Sequence, residues 1–366
     1  MARVFQDGFE MGVPAYTTAG RTEAPYGSLW FVAHTNSCGT GVSAVTKNSG
    51  NYGMRVYHPS SNYHAYAKRD LGASLKEHFG RIELYANSSA GTSPFLSLYD
   101  DSLRRIAYLA RLIDGSIAIY VGSTLVGSIV AILPLQLFTR IEWHIIVDSV
   151  DGLVEIKVNG NSTFTYNGNT QGANSENVRY VVLRQIAWVD GANRGDFYYD
   201  DIAINDTTGA VNNSWCGKGS IFLLKPKGIG NYSQFAPSNE SLDNYEIVDE
   251  IPADGDTTYV QSDTAEEIDT YDMEEIVADL GIDPDGVVKA VQTVFTGRYE
   301  GADAHLAPVL RLGAVDHEGD KQEMTGTYYA LSHQVFNVSP FSGVAWTLTE
   351  LDAIEAGVKH KEHTYG

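Results

Sequence analysis

FYYDDIAINDTTGAVNNSWCGKG, running from Phe197 to Gly219, decides how the rest of the chain is read. Phe197-Tyr198-Tyr199 and Ile202-Ala203-Ile204 are strand-forming runs around the pair Asp200-Asp201. In a regular strand two adjacent residues point to opposite faces, so this pair is not expected to work together as acid and nucleophile. Asn205-Asp206-Thr207-Thr208-Gly209 then stops the strand and turns the chain. Phe197–Ile204 therefore closes one β-domain, and a second β-rich region resumes at Ser220 with Ile221-Phe-Leu-Leu-Lys-Pro226.

Working outward, 366 residues exceed one ordinary core and suit two domains, expected at 1–219 and 220–366. Hydrophobic content of 43% is enough for packed interiors, and 36 Gly with 22 Tyr suit many short strands and turns. Alternating runs recur through the first domain, among them Asn51–Tyr57, Phe79–Ala86, Arg105–Leu112 and Val178–Leu183. Asp151-Gly152 and Asn159-Gly160 are tight-turn signals between Trp143–Asp148, Leu153–Val158 and Ser162–Tyr166. Ser116–Thr139 has no charged residue and is long enough to span a bilayer. Gly122, Gly127 and Pro134 interrupt it, so it reads as a hairpin, Ile117–Val121 with Thr124–Ser128, and no membrane insertion is expected. The fold class is all-β: a jelly-roll sandwich, then a second β-rich domain. The second domain has strands at Val287–Thr296, Ala307–Leu312, Thr325–Leu331 and His333–Val338. One helix is expected at Thr347–Gly357, with Thr347 and Glu350 as a capping box, an apolar stripe of Leu348, Leu351, Ala353 and Ile354, and Gly357 as its end.

The order Phe5–Glu10 (FQDGFE), Gly50–Val56 (GNYGMRV), Trp143–Gly160 (WHIIVD, a DG turn, then VEIKVNG) and Tyr199–Ile202 (YDDI) resembles the concanavalin A-like lectin/glucanase and laminin-G-like sandwiches. The second half is similar to a region of tailed-bacteriophage structural proteins, through Val248–Val260, Ala307–Gly313 and Gly343–Lys359. The resemblance implies a virion structural protein, non-enzymatic, placed as capsid decoration, minor capsid or head-fibre protein. The alternative it implies is a tail protein or glycan-binding receptor adhesin. The implied partners are other virion proteins (major capsid or tail proteins), further copies of the chain as a homo-oligomer, and host surface glycan. The implied location is the virion, assembled in the host cytoplasm. MARVFQDGFE carries no apolar signal-peptide core, which fits that expectation.

Glycoside hydrolases of this superfamily carry E-x-D-x-x-E on one strand. The nearest match, Glu267-Ile-Asp269-Thr-Tyr-Asp272, ends in Asp and lies outside the sandwich, so no catalytic residue is expected. The ten histidines, His144, His360 and His363 included, show no metal spacing. Asp190, Asn193 and Asp196 on a Gly-containing loop are the candidate calcium ligands, against the alternative of an Asx-rich turn; no other cofactor is expected. Trp30, Trp188 and Tyr63 are aromatic candidates for stacking on sugar, against core packing. Cys38 and Cys216 are read as free thiols, with pairing left open.

Gly228–Val288 holds 17 of the 46 acids and none of the 25 Lys and Arg. It reads as a solvated linker and domain edge, or as a docking face for a basic partner or a cation-loading surface, and it argues against nucleic-acid binding. Its self-repulsion is screened by salt. The melting temperature near neutral pH should therefore rise from low to moderate ionic strength, and a flat profile by differential scanning fluorimetry would count against that.

Overall fold

The computed structural model of the chain describes residues 2–12, 22–23, 29–34, 39–58, 65–130, 132–172, 177–184, 194–300, 304–324 and 330–362. The chain divides into two compact units, Met1–Phe222 and Leu223–Gly366, and both are built from antiparallel sheet. No helix among the described residues is long and apolar enough to cross a membrane.

The first unit has strands β1 (Arg3–Asp7), β2 (Thr22–Glu23), β3 (Phe31–His34), β4 (Gly39–Ser43), β5 (Gly53–His58), β6 (Ala65–Leu75), β7 (Glu77–Ala90), β8 (Ser93–Tyr99), β9 (Arg105–Arg111), β10 (Ile117–Val121), β11 (Thr124–Ile129), β12 (Phe138–Ile146), β13 (Gly152–Val158), β14 (Asn161–Gly168), β15 (Val178–Arg184) and β16 (Arg194–Asn205). They form two eight-stranded sheets. The first runs β14-β13-β12-β7-β16-β5-β4 with β1 also on β16, and the second runs β11-β10-β9-β8-β15-β6-β3-β2. The two sheets close on one another: the Tyr199 hydroxyl donates to the Phe95 carbonyl at 2.9 Å, and the Phe95 and Phe197 rings meet at 6.3 Å.

Period-two alternation fills this interior. Met54, Val56, Ile82, Leu84, Ile141, Trp143, Ile145, Val154 and Ile156 point in from the first sheet. Gly80 makes room for Trp143, since a Cβ there would sit 1.9 Å from the indole. The indole N–H donates to Nε2 of His78 at 3.0 Å. Burial drives His78 down to about 3, so that nitrogen is a neutral acceptor. The turns follow their signals: Gly122 (φ 57°) joins β10 to β11, and Asn159 (φ 51°) with Gly160 (φ 85°) joins β13 to β14.

In the second unit a six-stranded sheet orders Pro226–Ser233, Ile268–Met273, Ile354–Lys361, His305–Leu312 and Val315–Glu318, with Gln322–Glu323 on His305–Leu312. Ile276, Leu310, Phe336, Trp346, Leu351 and Ile354 form its core. A separate ribbon pairs Val291–Gly297 with Ala330–Phe336; most of the expected strand Thr325–Leu331 lies outside the described residues.

Two expectations are corrected here. Ile221–Pro226 is not a strand: the Ile221 N–H donates to Asp201 and the Lys225 N–H to Glu274, and the strand begins at Pro226. The helix is a single turn, Leu348–Leu351. The capping box is real, with the Glu350 N–H donating to the Thr347 hydroxyl at 3.1 Å. Beyond Asp352, however, Ile354–Lys361 becomes the central strand, paired on both sides. Gly357 is therefore no helix cap. It sits where the backbone of the neighbouring strand approaches, and a Cβ there would lie 1.9 Å from the Asp269 carbonyl oxygen. Gly357→Ala should destabilise the protein by about 3 kcal/mol in urea denaturation; a loss within experimental error would refute that close approach.

Candidate functional site

The Asp200-Asp201 pair departs from strand alternation. Asp201 has φ 49°, and the pairing of β16 with β7 breaks between Asp200 and Ala203, as in a bulge. Both carboxylates consequently reach the turn after β4. Asp200 accepts from the N–H groups of Asn48 (2.7 Å), Ser49 (3.0 Å) and Asp201 (2.7 Å). Asp201 accepts from the Asn48 amide (2.8 Å), the Ser49 hydroxyl (2.9 Å) and the Ile221 N–H (2.6 Å). Glu10 accepts from the N–H groups of Asn51 (2.7 Å) and Tyr52 (3.2 Å). Burial raises Glu10 to about 7, and burial together with the neighbouring Asp201 raises Asp200. Burial raises Asp201 as well.

The exit segment after β16 lies over the outer face of the first sheet. Trp215 packs edge-on against Phe79 and His144, with the Lys157 ammonium over its ring. The Gly217 N–H donates to Glu142 at 2.7 Å, and its carbonyl accepts from Arg81 at 3.1 Å. The remainder of that face pairs Arg55 with Asp196 (2.8 Å) and Arg140 with Glu142 (3.2 Å). Glu83 on the same face has no hydrogen-bond partner among the described residues. Burial raises it to about 7.

The outer face of the second sheet is different. Register sets Phe31, Lys68, Val182, Ser97, Tyr108, Tyr120 and Leu125 side by side across seven strands. The alternate row, Ala67, Leu183, Leu96, Leu109 and Ile119, is buried in the core, so the first row faces outward. Tyr108 and Tyr120 stack at 4.2 Å with 5° between planes, and the Arg105 guanidinium lies 3.9 Å over Tyr108. Val182 and Ser97, in the middle of the row, are fully buried, and the Ser97 hydroxyl donates to the Arg184 carbonyl at 2.7 Å. Lys68 stands on the row's other flank with Phe31 and Tyr180, and the next row continues Asp70, Tyr180, Tyr99 and Arg105. Burial raises the Tyr66 and Tyr108 phenols above their ordinary value, which keeps them neutral donors. The half-exposed stack, the cations and the phenols together make a surface suited to a ligand with apolar C–H faces and many hydroxyls.

The sequence-based candidates fall as follows. Asp190, Asn193, Trp188, Tyr63, Cys38 and His363 lie outside the described residues. Asp196 is engaged by Arg55 through two bonds (2.8 and 2.9 Å) and by Asn87 (2.9 Å). No group of three or more His, Cys, Asp or Glu among the described residues is arranged to hold a metal ion. Trp30 is 1% exposed, packed on Phe5 and Phe9 and donating to Asp7 at 2.8 Å, so it cannot stack on sugar. Cys216 is a buried free thiol. Asp269 is buried and accepts from Asn244 and Tyr271, while Glu267 accepts from Ser262, so these two serve separate contacts. His144 sits between Glu77 and Glu155, and the His360 ring meets the Ser262 hydroxyl. Sequence reading missed Lys68, Tyr108 and Tyr120. Each does occupy the outward position of an alternating run, but only cross-strand register joins them.

No protein-family model and no curated protein matches the chain. Among solved structures it is similar to a cellulose-induced protein, Cip1 (15% identity, TM-score 0.39, 59% of this chain and 100% of that one). It is also similar to the alginate lyase vAL-1 from Chlorella virus (11%, 0.35, 48% and 93%). A third similar structure is a carbohydrate esterase from the Shiga toxin-encoding bacteriophage phi24B (12%, 0.35, 53% and 97%). The non-enzymatic expectation is corrected accordingly, because lyases and an esterase stand among the similar structures. It rested on a missing carboxylate cluster, which tests glycoside hydrolysis alone; covalent catalysis also runs through other side chains.

Carboxylates raised in the folded state lose part of their stability once the unfolded chain can ionise, so their effect is unfavourable and grows from about pH 4 to pH 8. The melting temperature should fall between pH 5.5 and 8.5. Glu83→Gln should raise it at pH 8.5 and do so far less at pH 5; a variant as unstable as the parent at pH 8.5 would overturn the assignment.

Proposed function

We propose that the sandwich unit binds glycan, and that the outer face of the second sheet is where it binds. One observation carries this: the Tyr108–Tyr120 stack, with Arg105 on one side and Tyr180 and Lys68 on the other, stands partly exposed on the outward row of that sheet, flanking Val182 and Ser97, which are buried. Sugar rings present C–H faces that pack on aromatic planes, and their hydroxyls take donors and acceptors at the rim. The first sheet serves less well, since the exit segment lies on it and its arginines Arg55 and Arg140 are engaged by acids.

The setting we propose is a tailed-phage particle, on the resemblance of Val248–Val260, Ala307–Gly313 and Gly343–Lys359 to phage structural proteins. A glycan-binding face favours the receptor-facing position over capsid decoration. Other virion proteins and further copies of the chain are its proposed partners.

In glycan-array binding with the full chain, Tyr108→Ala and Tyr120→Ala together should lower affinity by about tenfold with the melting temperature kept. Equal binding by the double variant would remove this face from the reading. Quantitative mass spectrometry of purified particles tests the setting: a few dozen copies or fewer fit the tail or a vertex, hundreds fit a capsid lattice, and none ends the particle assignment.

A further inference from the structure

We propose, resting on the glycan-binding reading of the same face, that the glycan is anionic and that Lys68 contacts its negative group. The Lys68 ammonium lies 5.0 Å from the Phe31 ring centre and 4.7 Å from that of Tyr180. It has no ion pair and no hydrogen bond among the described residues. The acid on its own face, Asp70, is engaged by Arg179 at 2.6 Å. Elsewhere in the unit Arg55, Lys76, Arg104 and Arg140 each have a carboxylate within 3.2 Å. A partly buried ammonium between two rings has given up part of its hydration and meets no carboxylate among the described residues in return. A carboxylate or sulfate on the ligand would supply that charge through a charge-assisted hydrogen bond, which a neutral hydroxyl matches poorly.

A second cation reinforces the same sign. Arg105, one row away, covers the outer side of Tyr108. A chain of sugars lying along the Tyr108–Tyr120 stack and on towards Tyr180 would thus meet positive charge at both flanks. The balance of the unit permits it. Residues 1–222 hold 17 Lys and Arg against 19 Asp and Glu, whereas residues 223–366 hold 8 against 27. A polyanion is repelled strongly by the second composition and only slightly by the first, which is close to neutral.

The test is binding of the full chain, by biolayer interferometry at two salt concentrations, to polygalacturonate, dextran sulfate and dextran. The parent protein should prefer one or both polyanions to dextran, with affinity falling as salt rises. Lys68→Gln should weaken polyanion binding by about tenfold and flatten its salt dependence, while Lys68→Arg retains most of it. Preference for polygalacturonate assigns a carboxylate and preference for dextran sulfate a sulfate ester, and either supports the proposal. Dextran bound as tightly as the polyanions, or Lys68→Gln matching the parent on polyanion, overturns the anionic assignment and leaves the glycan-binding reading standing. Binding to none of the three, with the melting temperature intact, overturns both.

Discussion

One break in one strand organises the sandwich. Before Asp200, β16 pairs with β5 through Gly195–Tyr199; after it, Ile202–Asn205 pairs with β1. The left-handed residue Asp201 is where the partner changes. Two carboxylates that regular alternation would have split between core and surface converge instead on Asn48 and Ser49, Asp200 on their backbone N–H groups and Asp201 on their side chains. Buried carboxylates are costly unless every lone pair finds a donor, and here backbone N–H groups supply most of them. Arg81 donates to the Asp201 carbonyl at 2.9 Å and to the Gly217 carbonyl, which fixes the exit segment to the same point. The N-terminal strand, the turn at 48–52 and the exit from the sandwich all depend on that cluster.

Much of this architecture was legible. Asn159-Gly160 and Gly122 set their turns because only small or Asx residues tolerate positive φ cheaply. FYYDDIAIN reads as a closing strand because its flanking runs have strong β preference. The bulge was not legible, since the adjacent acids obey the period-two rule until a nonlocal turn offers them donors. The C-terminal helix misled for a similar reason. Thr347 and Glu350 do cap a helical turn, but Ile354–Lys361 lies between two strands with open edges, and sheet pairing outweighs the propensity of eight residues for helix. The proposed binding face was half legible: alternation marks Tyr108, Tyr120 and Lys68 as outward, while their adjacency is a matter of register, which no single strand encodes.

Charge divides along the chain more sharply than sequence reading foresaw. The acidic stretch 228–288 is no mere linker, for it supplies Pro226–Ser233 and Ile268–Met273 to the second unit's sheet. That unit uses its few cations repeatedly. Lys227 meets Glu275 and Asp279; Lys359 and Lys361 each meet Glu266 and Glu318. Even so, its 27 acids outnumber its 8 Lys and Arg, and such a balance repels polyanions.

The two outer faces of the sandwich differ, and the difference is why the proposed binding surface is put on the second sheet. Covering the first sheet with residues 206–222 closes the fold at the β16 break, and Arg81 and Glu142 are engaged in that closure. The second sheet has no part in it. On β9 and β10 the partly exposed Tyr108 and Tyr120 stack on one another beside Arg105, while β8 between them and β15 is buried along its whole length. Stacked tyrosines there add little to a core already filled by Leu96, Leu109 and Ile119, and an ammonium held among rings with no acid beside it among the described residues adds less. Residues that stability does not require at those positions are the ones free to meet a ligand.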